Sequence, residues 1–554
     1  MNRDIRGSGN MKGNWNSKEK LIHLLGELTE VESVVGTSKE VEMGEKIEEL
    51  VGQIEYFKAH PEAVCRIPIK DDHWNRFSVT AVYEGNPDDS SAYVLLSHFD
   101  VVGVDDFGQY KDLAFDHHRY TKQLEQLEDL SEDAAADLAT GEWLFGRGVM
   151  DMKAGLAVQL AVMSDAIENR KPINLILLAT PDEERNSEGM LAAVEWLAEL
   201  KQTKGYDQMV GICSEPSFTS FPGDQSKYVY TGSVGKMLPL VCAVGLETHV
   251  GEPLAGVNAS WMISEVVSEM ELSDRFYEQS GEEIVPPPTV LRLADLKYEY
   301  NVQTPTFAYA TFNILTYTKT VQDVLDEVNE VVSDSATKIN QRLSDRYQTY
   351  KVKRQHPAVS VYTYGELKER GTALYGESFT AQLESISKRV YQNGGDTRDV
   401  TIALAKEVGD YFVDLAPFYL VMLAPPFYPS VRLEEKNADE AALLHEVGEL
   451  QKWTEETFGE NISRMHYFPG LSDVSYGKMD KDLKVKQTLE REMPALSNGY
   501  DLPITAIQSL QMATVNIGPY GKDAHKRTER LHLPFFTDVT PCMLMKFIDQ
   551  MIKK

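Results

Sequence analysis

Three short runs of the chain are apolar almost throughout: Ala92–Ser97 (AYVLLS), Ile173–Thr180 (INLILLAT) and Met209–Ser214 (MVGICS). Runs of this length without polar alternation have the pattern of strands buried on both faces. Two longer segments, Asp151–Asn169 and Ser187–Lys201, carry helical spacing. Strands alternating with helices of this length predict an α/β domain, a doubly wound and mostly parallel sheet. Ligands of such sheets bind at the carboxyl ends of the strands. There the chain places His98 and Asp100 after the first run, Asp182–Glu184 after the second and Glu215 after the third.

The pattern changes after Ser233. Segment 236–246 reads as a strand, 257–273 as a helix, and Pro286–Pro288 breaks the chain. Segment 306–316 (TFAYATFNILT) is rich in β-branched and aromatic residues, and Val321–Arg346 reads as a long amphipathic helix. This order predicts a smaller α+β domain inserted in the first. The expected division is 15–234 for the first part of the larger domain, 235–350 for the insertion and 351–554 for the second part. Beyond 350 lie further helices, a strand candidate at 416–423 and a terminal stretch carrying His525. Segment 121–140, rich in Glu, Asp, Gln and Ala, reads as a solvated helical insertion.

Charge narrows the function. Of 554 residues, 55 are Lys or Arg and 86 are Asp or Glu, a net charge of −31. Such a balance repels phosphate backbones and anionic lipid, so neither nucleic acid nor a membrane is an expected partner. The four cysteines, Cys65, Cys213, Cys242 and Cys542, form no CxxC pair, which fits a reducing cytoplasm. Residues 1–20 are polar and hold no apolar core of a secretory signal, and no apolar stretch reaches the ~18 residues of a membrane span.

Several catalytic signatures are missing. There is no GxSxG, no GxxxxGK[ST], no GxGxxG and no HExxH; His445-Glu446 opens only the near miss HEVGE. What remains gathers at strand ends. His98-Phe99-Asp100 has a spacing that sends both side chains to one face, so that Asp100 can back the His98 ring. Asp151 closes GRGVMD at a helix start, where alone it reads as a cap. Glu183 and Glu184 are adjacent, a costly arrangement unless a cation or proton shares the site. With Glu215 and His525 they supply two histidines and several carboxylates at the rim of one sheet. That is the donor set of a dinuclear zinc site built from nitrogen and oxygen.

The motifs LLSHFDVV, GRGVMDMKAG, PDEERNSEGM, SEPS, ETHVGEPLAGVNAS and GPYGKDAHKRTE, in this order, resemble the zinc metallopeptidase family of aminoacylases, glutamate carboxypeptidase, peptidase T and succinyl-diaminopimelate desuccinylase. The length, with YNVQTP and GLSDVSY, looks closest to a bacterial arginine-utilisation branch of it. The resemblance implies a catalytic domain interrupted by a lid and dimerisation domain, and a homodimer formed through that lid. It implies two zinc ions, with cobalt or manganese as substitutes. His98, Asp151 and Glu215 would hold one ion, and Asp151, Glu184 and His525 the other. Asp100 would orient His98, Glu183 would be the general base, and His249 would stabilise the oxyanion. The implied reaction is hydrolysis of an amide bond in a small N-acylated amino acid or short peptide, within arginine or ornithine catabolism. Rival readings are a binding or regulatory relative that keeps the fold and metal site, and hydrolysis of an ester or amidine. Two features depart from the family pattern. FNILTYTKT, after Asn301–Pro305, lacks the arginine that grips a substrate carboxylate, and the stretches 100–146 and 350–450 are long. Ser472-Asp473 resembles a substrate-side motif and equally suits a plain loop turn.

Overall fold

A computed structural model describes residues 15–552, apart from 16, 128, 219–223, 225 and 497. The polar stretch at 1–14 lies outside the described residues. The chain divides into two units.

The first unit comprises residues 1–233, 431–479 and 505–554. Its sheet has eight strands in the order Val64–Pro68, Phe77–Glu84, Asn174–Thr180, Ser91–His98, Gln208–Cys213, Ala513–Asn516, Lys227–Tyr230, Ile462–Met465. The three apolar runs are neighbours at its centre, parallel to one another and to Ala513–Asn516. Phe77–Glu84 pairs antiparallel with Asn174–Thr180, and Val64–Pro68 pairs antiparallel with Phe77–Glu84, so the parallel pairing belongs to the middle of the sheet. All seven residues of Asn174–Thr180 are buried, as a strand covered on both faces requires. Helix Lys153–Glu168 is buried nearly all round. A Cβ on its Gly155 would stand 2.1 Å from the Ser214 carbonyl oxygen, so the missing side chain lets the helix lie against the end of Gln208–Cys213. Fully buried Gln159 ties that contact: its amide donates to the carbonyls of Leu96 and Ile212 and to Ser214 Oγ, and accepts from Ser97 Oγ.

The second unit comprises residues 234–430 and 480–504. Its five-stranded sheet has the order Thr289–Asp295, Phe307–Thr316, Gly235–Val244, Phe418–Tyr428, Ser360–Thr363. Helices Ala259–Met270 and Val321–Thr349 cover it, the second opened by a capping box between Thr320 and Asp323. The expected return to the larger domain at residue 351 is corrected here. Strand Phe418–Tyr428 pairs along the length of Gly235–Val244, from Phe418 opposite Val244 to Tyr428 opposite Lys236. Residues 351–430 therefore complete the inserted sheet, and the first unit resumes at Val431.

Segment 121–140 is two helices, His117–Leu124 and Glu132–Thr140. Only Leu124 and Ala134 are buried among its described residues, in line with a solvated helical insertion; in addition Asp133 and Asp137 are ion-paired to Lys522 and to Arg530, which is wholly buried. No described helix is long and apolar enough to cross a membrane.

Candidate metal centre

The candidate donors of the first unit stand at a strand end, in the loops that follow strands, in a hairpin turn or just before a helix. His98 is the last residue of Ser91–His98. Glu183 and Glu184 lie in the loop after Asn174–Thr180, and Glu215 lies two residues beyond Gln208–Cys213. Asp151 precedes helix Lys153–Glu168, and His525 sits in the turn between Gly521–Lys522 and Arg530–His532. Parallel strands ending together bring these sites to one rim.

The geometry centres on Asp151. Its Oδ1 lies 3.2 Å from His98 Nε2 and its Oδ2 lies 3.2 Å from His525 Nε2. His98 Nε2 also faces Glu215 Oε1 at 3.6 Å and Glu183 Oε2 at 3.8 Å. Glu184 Oε1 lies 3.0 Å from His525 Nε2. The donors form groups of metal-binding size: His98, Asp151 and Glu215; Asp151, Glu184 and His525; and His98 with Glu183 and Glu184.

Buried side chains fix the loops. Asp100 accepts from the backbone N–H of Glu183 and of Glu184, both at 3.1 Å, one with each carboxylate oxygen. Its grip on the His98 ring differs from the expected one. His98 Nδ1 meets the Asp100 main-chain oxygen at 3.0 Å, with the carboxylate further off at 3.5 Å. Asp100 thus orients the ring through its backbone and the glutamate pair through its side chain. Asp182, at φ +68°, accepts the backbone N–H groups of Arg185, Asn186 and Ser187 on its carbonyl, which tightens the loop carrying the pair. Its carboxylate is paired to Arg76, which also meets Glu40, Asp72 and Glu188. Glu529 accepts from the backbone of Met150 and Asp151 and is paired to Arg147. A Cβ on Gly518 would stand 1.9 Å from the Glu215 carbonyl oxygen, so the backbone closes tightly over that residue.

The electrostatics suit multivalent cations. Burial raises the carboxyls of Glu183 and Glu215 well above the ordinary range, and that of Glu184 as well. Burial opposes charge on His98, but Glu215 and Glu183 outweigh it and the ring is raised. His525 is raised to about 11 by its hydrogen bonds to Asp151 and Glu184. Asp151 is lowered, because hydrogen bonds from His525 and His98 overcome its burial. Carboxylates packed this closely repel one another unless positive charge is shared among them. Glu183 Oε1 is buried without a hydrogen-bond partner among the described residues, while Oε2 is the oxygen that faces His98. Two imidazoles and four carboxylates are a nitrogen and oxygen donor set that could hold metal ions and that suits zinc.

The structure thus gathers His98, Asp151, Glu183, Glu184, Glu215 and His525. Asp473, of the uncertain GLSDVSY segment, is buried with Oδ2 on Thr180 Oγ1 at 2.6 Å and is pushed up to about 6 by burial. Its charge is felt at Glu183 and Glu215. His249 belongs to the second unit, exposed in a turn where its Nδ1 accepts from the Gly251 N–H at 3.0 Å. His445 of HEVGE is an exposed residue of helix Ala438–Phe458. Sequence reasoning passed over Arg76, Arg147, Gln159 and Glu529. Arg147, between two glycines of GRGVMD, and Glu529, the last residue of GPYGKDAHKRTE, stand inside motifs; Arg76 and Gln159 carry no local signal.

Residues 125–534 match the model of peptidase family M20/M25/M40. The chain is 34% identical over 548 residues to the protein YqjN of Bacillus subtilis (strain 168), covering 98% of each chain. It is 30% identical over 541 residues to Protein RocB of the same strain, covering 96% of this chain and 94% of RocB. The crystal structure of aminopeptidase PepT from Bacillus cereus ATCC 10987 shares the fold at a TM-score of 0.52 and 12% identity, covering 98% of this chain and all of that one. The chain belongs to peptidase family M20/M25/M40 and is a metal-dependent amide hydrolase.

Proposed function

We propose that this member of the family uses two zinc ions to hydrolyse the amide bond of a small N-acylated amino acid or short peptide. The observation that carries the reading is the division of Asp151 between two histidines, one carboxylate oxygen to each. On this reading His98, Asp151 and Glu215 hold one ion, and Asp151, Glu184 and His525 hold the other. Cobalt or manganese can stand in at the same nitrogen and oxygen donors. When bound, the ions polarise the scissile carbonyl and acidify the attacking water.

The rest is done by the chain. Glu183 is assigned as general base, since Oε1 is buried, free of hydrogen bonds among the described residues and beside the donor groups. It takes a proton from the attacking water and delivers it to the leaving amine nitrogen. Burial raises its carboxyl, which makes it a stronger base than an exposed glutamate. Asp100 holds Glu183 and Glu184 apart by binding the backbone of each. His249 is assigned as hydrogen-bond donor to the tetrahedral oxyanion. Its Nδ1 accepts from Gly251, so the neutral ring carries its proton on Nε2, the donor that this role needs.

The finer reading places the enzyme in the cytoplasm, as a homodimer, acting on an acylated arginine, ornithine or related amino acid. Cysteine usage supports the compartment, and the resemblance to the arginine-utilisation branch supports the substrate. The test is a panel of N-acyl amino acids, including acylated arginine and ornithine, and dipeptides, assayed with zinc or cobalt and with a chelator. Metal-dependent release of a free amine is expected. No cleavage of any amide by protein shown to hold two ions per chain would overturn the reading.

A further inference from the structure

The turn that carries His525 is gripped from outside by the segment 117–140. The turn lies between Gly521–Lys522 and Arg530–His532, and two of its non-glycine residues are left-handed, Asp523 at φ +58° and His525 at φ +66°. Such a backbone persists only where its surroundings over-determine it. Glu529 at the end of the turn is held by Arg147, and the cations that flank His525 are held by one further stretch of chain. Asp133 and Asp137 are four residues apart on helix Glu132–Thr140 and so share a face. Lys522 Nζ meets Asp133 at 3.0 Å and Asp137 at 2.9 Å. Arg530 meets Asp137 through Nε at 2.7 Å and Asp133 through Nη2, while its Nη1 returns to Asp523 of the turn itself at 2.5 Å. Arg527 donates to Asp129 Oδ2 at 2.7 Å, and its carbonyl accepts from Tyr120 Oη at 2.8 Å. Three aspartates of the segment thus face three cations that flank His525.

We propose that the segment 117–140 is a cradle that positions His525, and with it the Asp151–Glu184–His525 ion site, through the clamp of Asp133 and Asp137 on Lys522 and Arg530. The proposal rests on the reading of these three donors as an ion site. Asp133 and Asp137 touch neither substrate nor metal and are positioning residues. Groups that fix a ligand's orientation typically contribute 10–100-fold to metal affinity. The clamp acts on His525 and leaves His98, Asp100 and Glu215 to the central sheet. Its loss is therefore expected to fall on one of the two ions.

Two readouts on the full-length chain test this. In metal-free protein, backbone hydrogen exchange over 521–530 should quicken in the double variant Asp133→Asn with Asp137→Asn, while the strand Ser91–His98 stays protected. In zinc titrations the same variant should keep one tight ion per chain and bind the second about 10–100-fold more weakly. Restoring the charge with Asp137→Glu in the Asp133 wild-type background should return the second ion. Should the double variant fail to fold, the milder Asp129→Asn and Arg527→Ala carry the same expectation in smaller degree. Unchanged exchange in the turn overturns the clamp. Faster exchange with unaltered affinity for both ions, or equal weakening of both, overturns the positioning role. A wild-type chain that binds fewer than two ions instead overturns the two-ion reading, and the exchange experiment still decides whether the clamp exists.

Discussion

Arg147 and Glu529 lie 382 residues apart in the chain and form a fully buried ion pair, Nη1 to Oε2 at 2.6 Å. The other Glu529 oxygen accepts the backbone N–H of Met150 at 3.3 Å and of Asp151 at 3.4 Å. One side of the carboxylate thus answers a charge, and the other sets the backbone from which the Asp151 side chain projects. Burial pushes Glu529 up to about 7, and Arg147 opposes that rise.

Removing the two partners should therefore have unequal effects. Arg147→Met leaves a buried carboxylate beside Asp151 and is expected to cost about 3–5 kcal/mol of unfolding free energy. Glu529→Gln keeps an acceptor for the two N–H groups and loses only the charge, so its cost should be smaller. Denaturant unfolding of both variants checks the order. Equal losses would mean that the pair contributes as packing, without the charge.

How far the sequence shows this site depends on what each residue does. His98, Asp151, Glu184, Glu215 and His525 are legible because each is a polar residue at the end of an apolar run or inside a motif. The central strands are legible for the same reason. Glu529 also lies inside a motif, but its pairing is not legible, since nothing in a linear pattern reveals that a carboxylate beyond His525 meets a guanidinium near Asp151. Arg76 is hidden likewise: its four carboxylate partners come from three separate stretches of the chain. Asp133 and Asp137 read as solvated because acidic helices usually are, and their partners lie nearly four hundred residues away. The boundary at 351 failed because an apolar run such as Phe418–Tyr428 announces a buried strand but not which sheet it joins.

Glu183 and Glu184 are neighbours with different expected phenotypes. Glu183→Gln keeps the shape but cannot take a proton, so it should retain both ions by elemental analysis and lose roughly 10²–10⁴-fold in kcat. Glu184→Gln loses a charged partner of His525 and should lose an ion. His98→Ala and His525→Ala should also lower the metal count. If Glu183→Gln lost metal and Glu184→Gln kept it, the assignments of base and ligand would have to be exchanged.

His117 gives a test of stability away from the metal. It is buried beneath helix Lys18–Thr29, with Nδ1 3.0 Å from Thr29 Oγ1, and burial, with His118 adding, pushes the ring down to about 4. In the unfolded chain the ring takes its proton near 6.5. Between those values the unfolded chain binds a proton that the folded chain refuses. The stabilisation is full above about pH 6.5 and declines as the pH falls toward 4, by up to ~3 kcal/mol. The fall in unfolding free energy over this window should be shallower in His117→Gln, by up to ~1.4 kcal/mol per pH unit. Parallel pH profiles for the two proteins would show that the ring is not held neutral.

His249 carries the last prediction. Its Nδ1 is occupied by the Gly251 N–H, and a Cβ on Gly251 would stand 3.0 Å from that nitrogen, so glycine permits the close turn that leaves Nε2 as donor. A donor to the oxyanion acts in the transition state more than in the ground state. His249→Ala should therefore keep its metal and its fold and lose kcat far more than it raises KM. A rise in KM with kcat intact would assign the ring to substrate binding. If the chain is a homodimer whose subunits exchange this histidine, a mixture of inactive Glu183→Gln and inactive His249→Ala should regain part of the activity after subunit exchange. One subunit then offers an intact base with its metal donors, and the other an intact donor to the oxyanion. Heterodimers that form and stay inactive would place His249 at the active site of its own chain, or outside the chemistry altogether.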